Sequence, residues 1–301
     1  MKTSIVIPAH NSAAVIPQVF QALKRQDYAE FEVVLVDDAS TDETVNIAKT
    51  FAGGLNLRVL RSEKNLGRAR ARNFGIENCS GELIILLDSD MEAVPSYVRL
   101  HVTLHLQKKR AVGVGALRYP KPLAGRALAR YYSTRGGARL KPGRKLPGKY
   151  FVSCLASFPK TLFVEVGGFN PEFSTYGGED LELGLRFEKS GAHLEYLPHA
   201  VGYHHHLRSL KEVVMTLEKY GETGIPIVLR SHPEFARDLY LEDLITRRKP
   251  SFILELISSD RLQKPLLNLA GSFESGWLPA GLLTLLHYGA YRRGFKRAPR
   301  L

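Results

Sequence analysis

Cysteine is almost absent from this 301-residue chain, which carries only Cys79 and Cys154. Two thiols cannot build a disulfide framework, and no Cys-x-x-Cys pair exists to hold zinc. A reduced compartment fits, with both thiols as small buried apolar groups. Long apolar runs are also missing. The first, Ile5-Val6-Ile7, stops at Pro8, too short for the core of a secretory signal. The best spanning candidate, residues 277–291, contains Pro279 and His287 and falls short of the ~20 apolar residues a membrane helix needs. These absences predict a cytoplasmic protein, soluble or peripheral at the inner face of the membrane. Acid is missing locally: residues 118–149 hold ten Lys or Arg and no Asp or Glu, and the last ten residues add five more Arg or Lys without an acid. The net charge of +12 therefore sits in two patches suited to phosphate or anionic surfaces. At 44% hydrophobic and 24% charged, the composition excludes a disordered or fibrous chain.

What is present is alternation. Residues 4–8, 31–36, 57–60, 83–87 and 111–117 read as strands. Between them Val15, Ile16, Val19, Phe20 and Leu23 recur at helical spacing after a polar cap at Asn11 or Ser12. Residues 68–78 and 100–106 are also helical. Ser40-Thr41-Asp42-Glu43 has the form of a capping box opening a helix through Ala48. Strand–helix alternation predicts an α/β fold, a Rossmann-like, mostly parallel sheet with helices on both faces. Beyond the basic insertion, residues 150–155 and 194–197 read as further strands, and 159–166 and 179–189 as helices. After Leu207 only helices are predicted. The expected division is a catalytic domain over 1–206 and a helical C-terminal extension over 207–301. The domain comprises a nucleotide-binding half (1–117), the basic insertion (118–149) and an acceptor half (150–206).

In such sheets ligands bind beyond the carboxyl ends of the strands. Asp88-Ser89-Asp90 follows the wholly apolar run Leu83-Ile84-Ile85-Leu86-Leu87. Two carboxylates there repel unless a cation lies beside them, and a divalent ion bridging a diphosphate supplies it. Alone the motif is weak. It follows, in order, Pro8-Ala9-His10-Asn11, Asp37-Asp38-Ala39-Ser40 and Asn65-Leu66-Gly67, each after or beside a predicted strand. Gly167-Gly168-Phe169-Asn170 and Tyr176-Gly177-Gly178-Glu179-Asp180 come later. Over about residues 3–206 this ordered set resembles family-2-like glycosyltransferases of the GT-A fold.

The resemblance implies a nucleotide diphosphate-sugar donor and an acceptor hydroxyl on a glycan, a lipid-linked glycan or a small compound, with inversion at the transferred sugar. Pro8, Ala9, His10 and Asn11 are expected to line the nucleotide pocket. One of Asp37 and Asp38, with Asp38 favoured, accepts from the base while the other braces the turn. Arg68 reaches the base or diphosphate, and Arg70 and Arg72 are read as surface residues. Asp90 is expected to hold Mn²⁺ or Mg²⁺, with Asp88 on ribose or metal-bound water and Ser89 between them. Asp180 is the implied general base, and Glu179 binds acceptor or positions the loop. Gly177 and Gly178 let backbone approach the acceptor, and Tyr176 stacks on a sugar or forms a wall. Of the run His204-His205-His206, His204 and His206 are candidate ligands that favour Mn²⁺. The basic insertion is expected either to close over the donor or to dock an anionic acceptor or membrane. Residues 266–291 form an interfacial helix, a packed hairpin or a dimer contact. Two other readings are a nucleotidyltransferase and a non-catalytic binder of nucleic acid or anionic polymer. The first lacks a Gly-rich phosphate loop after strand one. The second leaves the strand-end carboxylates without a purpose, so no nucleic-acid partner is expected.

Overall fold

A computed structural model describes residues 1–140, 144–246 and 252–299. Eight strands form one sheet: β1 (Thr3–Ala9), β2 (Phe31–Asp37), β3 (Leu57–Arg61), β4 (Leu83–Leu87), β5 (Met91–Ala93), β6 (Ala111–Arg118), β7 (Leu155–Pro159) and β8 (His193–His204). Their spatial order is β3-β2-β1-β4-β7-β6-β8-β5. The first four strands in that order run parallel, as do β6 and β8, while β7 runs antiparallel to both its neighbours and β5 to β8. The mostly parallel α/β expectation holds.

Continuous apolar strands arise because both faces are covered. Val6, Val34 and Val36 point to one side, against helix α3 (Arg68–Glu77) and the helices Lys160–Glu165 and Glu179–Lys189. Their neighbours Ile5, Ile7, Val33 and Leu35 point to the other, against α1 (Ile16–Lys24), α2 (Thr44–Lys49) and α4 (Tyr97–Gln107). Burying each such side chain stabilises the fold by about 1.5–3 kcal/mol. Gly75 sets how closely α3 lies on the sheet, since a Cβ there would come within 2.5 Å of Val6 and 2.6 Å of Val36. That approach carries Arg72, one turn earlier, over the ends of the strands.

Several local expectations are corrected. The predicted strand at 150–155 is displaced: residues 148–150 form a 3₁₀ turn and the strand starts at Leu155. β5 was missed because three residues carry no period. β8 runs 12 residues instead of four, through a bulge opposite Gly115 and Ala116 that absorbs Pro198-His199-Ala200. The capping box does not form. Ser40 Oγ accepts from the Asn11 N–H at 2.9 Å, and Asp42 receives the Thr44 N–H at 3.0 Å. Neither Asn11 nor Ser12 caps α1 with its side chain; the Ser12 carbonyl accepts from Val15 and Ile16 instead. Glu182 and Arg186 do pair, but Glu182 is buried, and Arg186 also donates to the carbonyls of Val166 and Gly168.

The basic insertion packs against the C-terminal helices. It forms the short helices α5 (Lys121–Ala124) and α6 (Ala127–Ser133); Lys141 lies outside the described residues. Ala127 and Leu128 share a core with Leu210, Val213, Leu283, Leu286 and Ala290 from the C-terminal helices. Arg126 pairs with Glu274 at 3.1 Å, and Arg130 donates to the Gly276 carbonyl at 2.7 Å. The basic C-terminal helix Ala280–Arg297 is likewise neutralised internally. Arg292 is fully buried on Asp243, Arg293 and Arg297 hold Glu218, and Lys296 holds Glu255; Arg300 lies outside the described residues. The C-terminal helices thus pack on the insertion and on the helix Leu210–Lys219. Among the described residues no helix is long and apolar enough to cross a membrane.

Candidate active site

Two cavities open at the carboxyl ends of the central strands and meet along a common wall. The smaller, 350 Å³, is lined by Pro8, Ala9, His10, Asn11, Asp38 and Ser89, among others. The larger, 510 Å³, is lined by Tyr176, Gly177, Gly178, Glu179, Asp180 and His204, among others. Arg68, Arg72, Asp88, Asp90, His206 and Arg208 face both. Apart from Asp37, every residue the sequence nominated therefore lines one chamber or the other.

The rim of the smaller chamber is tied together by hydrogen bonds between the ends of β1 and β2. Asn11 and Ala39 adopt left-handed backbone angles, with φ of 50° and 58°. The Asn11 side-chain oxygen accepts from the Thr41 N–H at 2.9 Å. His10 Nδ1 lies 2.7 Å from the Asp38 carbonyl, to which it donates. Asp37 turns away from the cavity. It is fully buried, accepts from the Ser40 N–H at 3.2 Å and pairs with Arg61, so it braces the turn. Asp38 faces the chamber, but its carboxylate also accepts the backbone N–H groups of Leu66 at 2.6 Å and Gly67 at 3.1 Å. That pins the entry to α3.

Arg72 organises the shared wall, and the sequence reading missed it by treating it as a surface residue. Only 3% exposed, it donates to Asp88 at 2.9 Å and lies 3.7 Å from Glu179. Burial works to lower its pKa, but the charges of Asp88, Asp180 and Glu179 outweigh burial and raise it. Nothing in its local pattern marks it, because its depth depends on how close α3 lies to the sheet.

Gly177 and Gly178, with φ of 97° and 102°, form the turn into the helix that begins Glu179-Asp180. A Cβ at Gly178 would meet Phe173 at 2.6 Å. Glu179 reaches back to the Gly177 N–H at 3.1 Å. Burial first, then the neighbouring Asp180 carboxylate, raises the Glu179 pKa against the opposing pull of Arg72. Asp180 accepts from the Ser153 N–H at 3.0 Å through one oxygen, while the other is buried without a partner. Asp180 lines the larger chamber, where a carboxylate can take up a proton.

At the end of β8, His204 Nε2 lies 3.0 Å from Asp90 Oδ2. Burial pushes the Asp90 carboxyl up, but the His204 hydrogen bond and the charges of His204 and His206 outweigh it and hold it low. His205 points to the other face and bonds Glu92 at 2.7 Å, as extended alternation requires. His206 lies farther off, its ring 6.4 Å from that of His204. Among the described residues no cluster of three His, Cys, Asp or Glu side chains converges as a metal site. Asp90 and His204 nonetheless make a fitting carboxylate–imidazole donor pair, and His204 Nδ1 is buried without a partner. Substrate phosphates complete such sites.

Tyr176 does not present a bare ring to a sugar: the guanidinium carbons of Arg68 and Arg208 lie 4.6 and 4.7 Å from its centroid. Arg208 and Cys154 line the larger cavity and were not foreseen. Burial, then Asp88 and Asp180, pushes the Cys154 thiol up, which keeps it protonated.

Comparison with known proteins fits this geometry. The model of glycosyl transferase family 2 matches residues 4–167, and one described as the N-terminal domain of galactosyltransferase matches 137–210. Validoxylamine A glucosyltransferase of Streptomyces hygroscopicus subsp. jinggangensis is 29% identical over 217 residues, 62% of this chain and 51% of that protein. The poly(ribitol-phosphate) beta-N-acetylglucosaminyltransferase TarS of Staphylococcus aureus is 40% identical over 93 residues, 30% of this chain and 16% of that protein. The chain thus spans about half, or far less, of these relatives. The crystal structure of S. aureus TarS 1–349 superposes with a TM-score of 0.60 at 20% identity, covering 99% of this chain and 89% of that one. A mannosyltransferase from Pyrobaculum calidifontis in complex with GDP-Man and Mn²⁺ gives 0.60 at 20% identity, covering 97% and 86%. These likenesses establish the GT-A fold.

Proposed function

The chain belongs to glycosyl transferase family 2, and from that premise we propose that it moves a sugar from a nucleotide diphosphate-sugar to an acceptor hydroxyl, with inversion. The observation that supports this reading is the junction of the two chambers. A nucleotide-sized cavity and a larger one share a wall of Asp88, Asp90 and Arg72, with the unpaired Asp180 oxygen beside it.

In this reading Pro8 to Asn11 and Asp38 hold the nucleoside, and Asp88 and Ser89 meet the ribose. Asp90 and His204 would hold Mn²⁺ or Mg²⁺, with His206 at the edge of the same site. When bound, that ion offsets charge on the diphosphate as it departs. Arg68 and Arg208 supply fixed positive charge from the chain itself. Asp180 takes the proton of the acceptor hydroxyl as its oxygen attacks the anomeric carbon from the face opposite the diphosphate. Glu179 closes the Gly177–Gly178 turn and holds Asp180 in place. Arg72 keeps Asp88, Glu179 and Asp180 together without their mutual repulsion opening the site. The protein works where cytoplasmic sugar nucleotides are available, on a glycan, a lipid-linked glycan or a small hydroxyl compound, soluble or peripheral at the membrane.

A thermal-shift screen tests this, using UDP, GDP and dTDP and their sugars, with and without Mn²⁺ or Mg²⁺. A ligand that binds only the native state raises the Tm by mass action. The expected result is a nucleotide-selective, metal-requiring shift that disappears in Asp90→Ala. If no nucleotide shifts wild type under any metal condition, the donor site is refuted.

A further inference from the structure

Two cationic residues of the insertion have acidic partners: Arg126 has Glu274 and Lys149 has Asp238. Arg118 and Arg135 do not. Arg118 donates only to the backbone carbonyls of Leu117 at 2.9 Å and Ser133 at 3.1 Å. Arg135 donates to the Thr284 hydroxyl at 2.9 Å and lies 4.0 Å from the Tyr131 ring centroid, and its Nε is buried without an acceptor. Both are half-buried, and neither has a carboxylate partner among the described residues. Both line the larger chamber and not the smaller one.

This separates them from Arg68 and Arg208, which face both chambers and suit the donor diphosphate. Two half-buried guanidiniums held by neutral groups retain their full charge and free N–H donors, a setting that favours bidentate oxyanion binding. The same chamber carries the rings of Tyr119, Tyr132, Tyr150 and Tyr196, surfaces on which a sugar or polyol can lie. Tyr132 is fixed in place. His287 Nδ1 lies 2.6 Å from the Leu283 carbonyl, so its Nε2 is bare and accepts the Tyr132 hydroxyl at 3.0 Å.

We infer that the acceptor is anionic: a sugar or polyol bearing a phosphate or carboxylate, whose oxyanion is held by Arg118 and Arg135 while its hydroxyl is presented to Asp180. The inference rests on the proposed transferase reading and names the acceptor class for its larger chamber. Arg135 also touches the C-terminal helix through Thr284.

The test uses full-length protein saturated with whichever of UDP, GDP or dTDP stabilises it, so that the diphosphate site is filled. Binding of glucose, glucose 6-phosphate and glucuronate is then measured by calorimetry. Glucose 6-phosphate or glucuronate is expected to bind at least tenfold more tightly than glucose, and which of the two does so identifies the oxyanion. Arg118→Met and Arg135→Met should each remove at least fivefold of that preference, with nucleoside diphosphate affinity within twofold of wild type. Thr284→Ala removes the Arg135 tether but keeps its charge, and should retain the preference. Equal affinity for the three sugars in wild type, or a preference unchanged in both Met variants, overturns the inference. Absence of any nucleoside diphosphate binding would instead sink the transferase reading beneath it.

Discussion

Removing Arg72 should expose how the shared wall is held. Arg72→Met keeps most of the stem and deletes the charge, leaving Asp88 and Glu179 without their common partner. Breaking a buried ion pair costs about 3–5 kcal/mol, because the remaining charge stays desolvated. Here Asp88 is 29% exposed and can recover water, so the lower end, about 3 kcal/mol, applies. In a domain of this size that amounts to a fall in Tm of roughly 6 °C. The attribution is checked by a double-mutant cycle in urea. In a Glu179→Gln background, or an Asp88→Asn one, the cost of Arg72→Met should shrink by about 1 kcal/mol or more. The pH dependence has a defined sign. Burial already raises the Glu179 pKa, and loss of Arg72 raises it further. Unfolded Glu179 ionises at its ordinary value, so as the pH falls towards the raised native value the native variant binds a proton that its unfolded chain does not. The variant should therefore regain stability relative to wild type as the pH falls from 8 towards 5. A cost that is the same in all three backgrounds, and flat with pH, would refute the view that Arg72 acts through these carboxylates.

The remaining predictions concern the sheet and the turn. His101 Nδ1 and His105 Nε2 both contact Ser157 Oγ, at 2.6 and 2.8 Å, and burial lowers their pKa to about 3 and about 4. The unfolded chain takes up these protons near pH 6.5, so stability is lost as pH falls below that value, by roughly 2 kcal/mol per histidine between pH 8 and pH 5. Urea unfolding of wild type beside the apolar triple variant His101→Leu/His105→Leu/Ser157→Ala checks it: the variant should be spared about 4 kcal/mol of that acid loss, and an equal loss in both would rule the pair out. Gly75→Leu should destabilise the fold by about 1–3 kcal/mol by driving α3 off the sheet and should weaken nucleoside diphosphate binding; calorimetry showing unchanged affinity would mean α3 does not set the site. Gly178→Ala forces a side chain into a left-handed turn against Phe173. It should slow turnover more than it weakens donor binding, which steady-state kinetics beside donor titration would reveal.

Fold and site were legible to different depths. The continuous strands at β1, β2 and β4 announced two-sided burial, and the polar residues following them line the smaller chamber. Strand-end motifs are readable because they occupy fixed places relative to an apolar run. β5 and the far half of β8 were not, since a three-residue edge strand and a bulged strand containing Pro198 carry no clean alternation. Arg72 was misjudged because its neighbours Arg68 and Arg70 suggested a solvated basic face. Its burial follows from Gly75 and from a helix more than 100 residues later in the chain. The basic insertion read as a ligand-binding loop because its partners lie elsewhere: the acids Glu274 and Asp238 and the hydroxyl of Thr284 reach it only in three dimensions. Its charge was legible, but which charges stay unpaired was not.

The most direct test of the central claim is the rate of nucleoside diphosphate release from the stabilising sugar nucleotide, with acceptor, in wild type, Asp180→Asn and Asp90→Ala. Asp180→Asn should bind donor like wild type yet lose about 10²–10⁴-fold in turnover, as expected for a missing general base, while Asp90→Ala should lose metal-dependent donor binding itself. An Asp180→Asn variant that turns over at the wild-type rate would contradict the assignment of Asp180 as the group that takes the acceptor proton.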